Sequence, residues 1–172
     1  DYVCVDQQHG MIDYLTMVEM LRAIEGRDVV TLTRVPANEG WMISKALDAG
    51  VQGVVVPMVN SGKEAAAAVT ACRYPPLGNR SYGPLRSSLV MKSRELPVIG
   101  GEVLCFVMVE TREAVERIDE IAATPGLDGI YIGPADLALG LGLPPNLDKT
   151  EPEHAAAVEA ILASCKRHGI IP

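Results

Sequence analysis

Five ionisable residues stand where apolar, β-branched runs give out. Glu110 follows Val107-Met108-Val109, and Asp136 comes shortly after Ile130-Tyr131-Ile132. Asp6 and His9 follow Val3-Cys4-Val5, and Arg34 follows Val29-Val30-Thr31-Leu32-Thr33. Two carboxylates at the exits of successive buried strands most economically hold a divalent cation. A hard ion with two such ligands keeps open positions for substrate oxygens and acts on them as Lewis acid and template. Arg34 adds permanently charged donors matched to a carboxylate or oxyanion. Histidine exchanges its proton near working pH, which suits His9 to general acid–base chemistry. Singly, each residue has a plainer reading. Glu110 would complement a helix dipole, Asp136 would cap a short helix, and His9 would sit in a turn. Arg34 resists that treatment, because a strand exit is a costly place for an unpaired charge. Read together, the set favours a metal site.

The elements that must position these residues alternate. A helix over 12–25, with Leu15, Val18, Leu21 and Ile24 on one face, stops at Gly26. A strand over 29–33, a helix from about Asn38 to Gly50 and the run Val54-Val55-Val56 follow. Runs without polar alternation belong to parallel strands covered on both faces. Ser61 and Glu64 form a capping box before the alanine-rich helix 65–73. Strand 104–109 precedes one helix capped by Thr111, and Pro125-Gly126 precedes strand 129–132. After a Gly- and Pro-rich loop over 139–147, a helix runs from Pro152 to Gly169 with Thr150 and Glu153 as its capping box. Ile170-Ile171-Pro172 reads as the start of another strand. The long Gly/Ser/Pro segment 78–88 reads as a solvated loop with lid potential, carrying Arg80 and Arg86.

Strand-then-helix repetition gives an α/β fold with parallel crossovers. A doubly wound sheet places its ligand beside one Gly-rich turn, whereas ionisable residues after nearly every strand fit the rim of a (β/α)8 TIM barrel. Such a barrel needs about 250 residues. The 172 residues are therefore expected to form a single partial barrel domain, 1–172, lacking the first and last strand–helix units.

Composition narrows the partners. The net charge of −7, with scattered Lys and Arg, argues against nucleic acid or an anionic membrane surface. No run approaches the roughly 20 apolar residues of a membrane span. Cys4, Cys72, Cys105 and Cys165 lack C-x-x-C spacing and read as buried free thiols in a reducing cytosol, so a cytoplasmic location is expected. His154 and His168 fit helix ends, and Met58 is expected to pack.

The ordered set Asp6-x-x-His9, Arg34-x-Pro36, Val56-Pro57-Met58, Val109-Glu110-Thr111-Arg112 and Gly133-Pro134-Ala135-Asp136-Leu137 resembles the metal-dependent pyruvate aldolases of the HpcH/HpaI aldolase and citrate lyase family. The resemblance implies a (β/α)8 barrel, a homo-oligomer, and reversible cleavage of a 4-hydroxy-2-oxo acid, sugar-acid derivatives included, to pyruvate and an aldehyde. It implies Glu110 and Asp136 as ligands of Mg²⁺, Mn²⁺ or Co²⁺, and Arg34 on the pyruvate oxygen. His9 would be the acid/base oriented by Asp6, with Gly133, Pro134 and Ala135 on the substrate. Asp48 falls on a further family position, which the resemblance places in the catalytic set. Two stretches depart from the pattern. Gln7-Gln8 stands where many relatives have Gly-Glu, and Met108 where a pyruvate-binding glutamine is frequent.

Two alternatives share these residues. One is an acyl-CoA lyase of the citrate lyase β or malyl-CoA type, which needs a basic groove that the sequence does not display. The other is a non-catalytic ligand-binding barrel. A lysine Schiff base is disfavoured, since Lys45, Lys63, Lys92, Lys149 and Lys166 all lie outside strand exits.

Overall fold

A computed structural model describes residues 1–145 and 151–172. Five parallel strands pair in chain order: β1 (Tyr2–Asp6), β2 (Val30–Arg34), β3 (Gly53–Val56), β4 (Leu104–Val109) and β5 (Gly129–Ile132). Between them lie α1 (Tyr14–Ile24), α2 (Gly40–Asp48), α3 (Gly62–Cys72) and the short α4 (Ser87–Val90) and α5 (Leu96–Gly101). Then come α6 (Arg112–Glu116) and α7 (Ile118–Ala122), with α8 (Pro134–Gly140) and α9 (Pro152–His168) after β5.

The strands form because their alternate residues serve two different faces. Val5, Val54, Val56, Cys105, Val107 and Val109 join Met17, Ile43, Ile121 and Ile161 of the helices in one continuous core. The intervening residues face the concave side, and the pairing keeps them in line: Asp6 opposes Arg34, Arg34 opposes Val55, Val55 opposes Phe106, and Met108 opposes Tyr131. A period of two therefore puts every even-numbered residue of β1, β2 and β4 on the side that ends in the ionisable rim.

The described strands do not close into the expected barrel. The sheet is open, with β1 and β5 at its ends, and five strands are too few for the eight-stranded ring. Its curl is nonetheless marked: Tyr2 of β1 and Tyr131 of β5 lie side by side across a concave cavity of about 740 Å³ that Leu104 and Phe106 also line. Where the sequence suggested the start of another strand, Ile171 makes an isolated parallel bridge to Gly129 of β5.

Several boundaries differ from the sequence reading. Asp13, not an earlier residue, caps α1 by accepting from the Thr16 N–H. The helix expected after Thr111 breaks into α6 and α7 at Arg117 (φ −108°, ψ 18°). The short helix α4 begins within the end of the segment expected to be loop, and α5 follows in a stretch for which the sequence analysis named no element. Ser61 caps α3 as expected, although Glu64 returns its carboxylate to the Asn60 N–H. Thr150 and Lys149 lie outside the described residues. Glu151 is the N-cap of α9, and Glu153 pairs with Arg112. All four cysteines are free, three of them buried. Among the described residues no helix is long and apolar enough to cross a membrane.

Candidate active site

Arg34 and Asp6 leave adjacent strands in register, and their side chains meet as a fork on a fork. Arg34 Nε donates to Asp6 Oδ1 at 2.8 Å and Nη2 to Oδ2 at 2.5 Å. Asp6 Oδ1 also accepts from the main-chain N–H groups of Gln8 (3.0 Å) and His9 (3.3 Å). The guanidinium beside it, helped by those two amides, holds the Asp6 carboxyl down at about 2. Asp6 in turn keeps Arg34 more firmly protonated than usual. The sequence reading gave Asp6 to the imidazole. Here it grips Arg34 and shapes the turn through the His9 main chain, and the His9 ring stays exposed. Gly10 allows the turn to fold so tightly, since a Cβ there would collide with the Asp6 carbonyl.

Glu110 presents the opposite situation. Its carboxylate is buried (1 % exposed) on the concave side just past β4. Oε1 accepts from the Met58 N–H at 2.7 Å, and Oε2 is buried without any partner. Burial pushes its pKa up, the Met58 N–H pulls it down, and the charge of Asp136 raises it again, while Arg34 and His9 oppose that rise. Glu110 thus feels Asp136, Arg34 and His9 at once, which gathers the four groups into one electrostatic neighbourhood. Asp136, half-buried, sits in the first turn of α8, not at its cap. Gly133, the N-cap of α8 just after β5, lies against Glu110: a Cβ there would collide with Oε2 and stand 2.9 Å from the Glu110 Cβ. The Pro134 carbonyl is held at 3.2 Å by Nε2 of the buried His154 of α9.

This donor set fits a hard cation. A buried carboxylate oxygen without a hydrogen bond is costly, and a second carboxylate nearby increases the cost; a divalent ion removes both penalties. Among the described residues no group of three or more His, Cys, Asp or Glu is arranged to share an ion, so a cation here would rest on two carboxylates.

Other residues take unexpected places. Asp48 ends α2, beside the entrance to β3 and so at the rim opposite Arg34; its Oδ1 receives Arg80 Nη2 at 2.7 Å. Arg80, read from sequence as part of a solvated loop, is 2 % exposed. It stacks 4.5 Å over the Tyr74 ring and donates to the Ile99 carbonyl. Arg86 donates to the Ala49 carbonyl and pairs with Glu25. Neither arginine reaches the Glu110 rim. Met58 does not pack as expected: it is 49 % exposed and adopts φ 57°, a left-handed conformation costing about 1 kcal/mol or more. No glycine or asparagine marks the position, so nothing in the sequence signalled it. Met108 is buried, with Sδ 3.8 Å from Arg34 Nη1.

Residues 1–171 match the family described as HpcH/HpaI aldolase/citrate lyase. A hydroxypyruvate/pyruvate aldolase of Rhizorhabdus wittichii is 42 % identical over 99 % of this chain and 69 % of its own length. A 4-hydroxy-2-oxovalerate aldolase of Rhodococcus jostii is 38 % identical over 97 % of this chain and 64 % of its own. The crystal structure of a family protein from Burkholderia cenocepacia J2315 superposes with a TM-score of 0.90 at 34 % identity, covering 99 % of this chain and 68 % of that one. The chain thus spans about two thirds of these relatives, and it belongs to the HpcH/HpaI aldolase/citrate lyase family.

Proposed function

We propose that the protein is a divalent-cation-dependent aldolase, a carbon–carbon lyase that reversibly cleaves a 4-hydroxy-2-oxo acid to pyruvate and an aldehyde. The observation that carries this reading is the Glu110 carboxylate, buried with Oε1 satisfied, Oε2 without a partner and the charge of Asp136 alongside. Glu110 and Asp136 would hold Mg²⁺, Mn²⁺ or Co²⁺. When bound, the cation supplies Lewis-acid polarisation of the substrate's oxo group.

The chain's own groups do the rest. His9 takes the proton of the 4-hydroxyl as the C3–C4 bond breaks. C4 leaves as the aldehyde carbonyl, and the bond's electron pair passes to C3 and is delocalised onto the C2 oxygen as an enolate. Arg34 directs donors at that oxygen, its guanidinium held at a fixed angle by Asp6. Reprotonation at C3 gives pyruvate. The backbone of Gly133, Pro134 and Ala135, next to Glu110 and Asp136, would contact the substrate. In the same reading the sheet is part of a (β/α)8 barrel in a cytoplasmic homo-oligomer acting on small oxo acids, with no nucleic-acid or membrane partner.

The test is exchange of the methyl protons of pyruvate in D₂O by the full-length protein. Exchange with Mg²⁺ or Mn²⁺ that stops on adding EDTA is expected. No exchange with metal present would overturn the reading.

A further inference from the structure

Glu110 is held by a residue in a costly conformation, and something must keep that residue there. Met58 is neither glycine nor asparagine, yet its φ of 57° aims its N–H at Glu110 Oε1. Relaxed to negative φ, the peptide between Pro57 and Met58 would turn and carry the N–H away. Asn60 and Thr111 stand on either side of this arrangement. Asn60 Nδ2 donates to the Met58 carbonyl at 3.1 Å, and the Asn60 N–H is anchored to Glu64 Oε2 at 2.6 Å. The Thr111 hydroxyl, on the residue after Glu110, donates to Asn60 Oδ1 while accepting from the Ala114 N–H at 3.1 Å. Between them the Val59 N–H donates to the Met108 carbonyl at 3.3 Å. The turn after β3 is therefore fastened to β4 both before and after Glu110.

We propose that Asn60 and Thr111 are positioning residues for Glu110, holding the Met58 main chain in the conformation that ties down Oε1 and leaves Oε2 free for the cation. The proposal rests on the cation-site reading above. Both residues are neutral, so replacing them leaves the charge at the site unchanged, and a change in cation affinity reports geometry. Groups that hold a metal ligand in place are typically worth 10- to 100-fold in affinity.

The experiment titrates Mn²⁺ into metal-stripped full-length protein without substrate and follows the free-ion electron paramagnetic resonance signal. Asn60→Ala and Thr111→Val are each expected to weaken Mn²⁺ binding about tenfold or more. In a Met58→Gly background, Asn60→Ala should cost about threefold or less, because glycine takes the left-handed conformation unaided. A folded Asn60→Ala protein that binds like the wild type while Glu110→Gln does not bind would overturn the proposal. So would an undiminished Asn60→Ala effect in the Met58→Gly background. If Asn60→Ala fails to fold, Asn60→Ser, which loses the Nδ2 donor but keeps a hydroxyl, carries the same expectation and the same overturning result. If Glu110→Gln binds Mn²⁺ as tightly as the wild type, the cation site itself falls, and the positioning role with it.

Discussion

The two ends of the rim treat their charges in opposite ways. At the β1–β2 end, Asp6 and Arg34 neutralise each other through a two-pronged contact, and the adjoining turn adds two main-chain donors. At the β4–β5 end, Glu110 has one donor, one oxygen without a partner and a like charge nearby. The first end is complete as folded. The second is electrostatically incomplete as folded; the cation of the proposed function would complete it, and would link ligand binding to folding stability there and not at the first.

Substitutions can break that contrast. Glu110→Gln preserves shape and the acceptor for Met58 while removing the charge; pyruvate methyl exchange should fall about 10³-fold, the equivalent of several kcal/mol of lost stabilisation. In metal-free protein the same change should raise the melting temperature at neutral pH. Burial raises the Glu110 pKa, so this carboxyl withdraws stability as pH climbs from its ordinary range through the folded value. Thermal melts with EDTA check the sign, and an unchanged or lowered melting temperature would contradict it.

Gly133→Ala should come next, costing about 1–3 kcal/mol because the added methyl meets Glu110 with no room to move. Chemical denaturation measures it, and a cost below about 0.5 kcal/mol would show that the two elements separate more easily than their packing indicates.

The smallest effect belongs to Asp6. Its depressed pKa makes its contribution fully present above its ordinary value of 3.8 and lost as pH falls toward about 2. Asp6→Asn should flatten acid unfolding in that window and leave the Glu110 dependence intact. Solvent exposure of the pair keeps the amplitude modest.

Much of this was legible from the chain. The five strands announced themselves as β-branched runs, and strand exits are where the period of two ends and side chains turn to the rim. Asp6, Arg34 and Glu110 stand at such exits, and Asp136 lies in the first turn of the helix after β5. What escaped was non-local. Arg80 lies in a Gly/Ser-rich segment, and its buried place over Tyr74 depends on Asp48 and Ile99, which the fold brings in from distant parts of the chain. Asp48 looked catalytic by family position, yet helix direction carries it to the far rim. The pairing of Asp6 with Arg34 in place of the His9 ring depends on strand register, which spacing along the chain does not express. Met58 and Asn60 carried no signal, because left-handed conformation at a methionine is imposed by its surroundings.

The support given by His154 to the Pro134 carbonyl ties the Glu110 end of the rim to α9. A growing polypeptide therefore finishes the Asp6–Arg34 cradle after two strands, while the seat of Asp136 waits for α9. Pulse-labelled hydrogen exchange during refolding should find the Gln7 and Gln8 amides, bonded to the Arg34 carbonyl and to Asp6, protected before that of Met58. Simultaneous protection would mean that both ends belong to one cooperative unit.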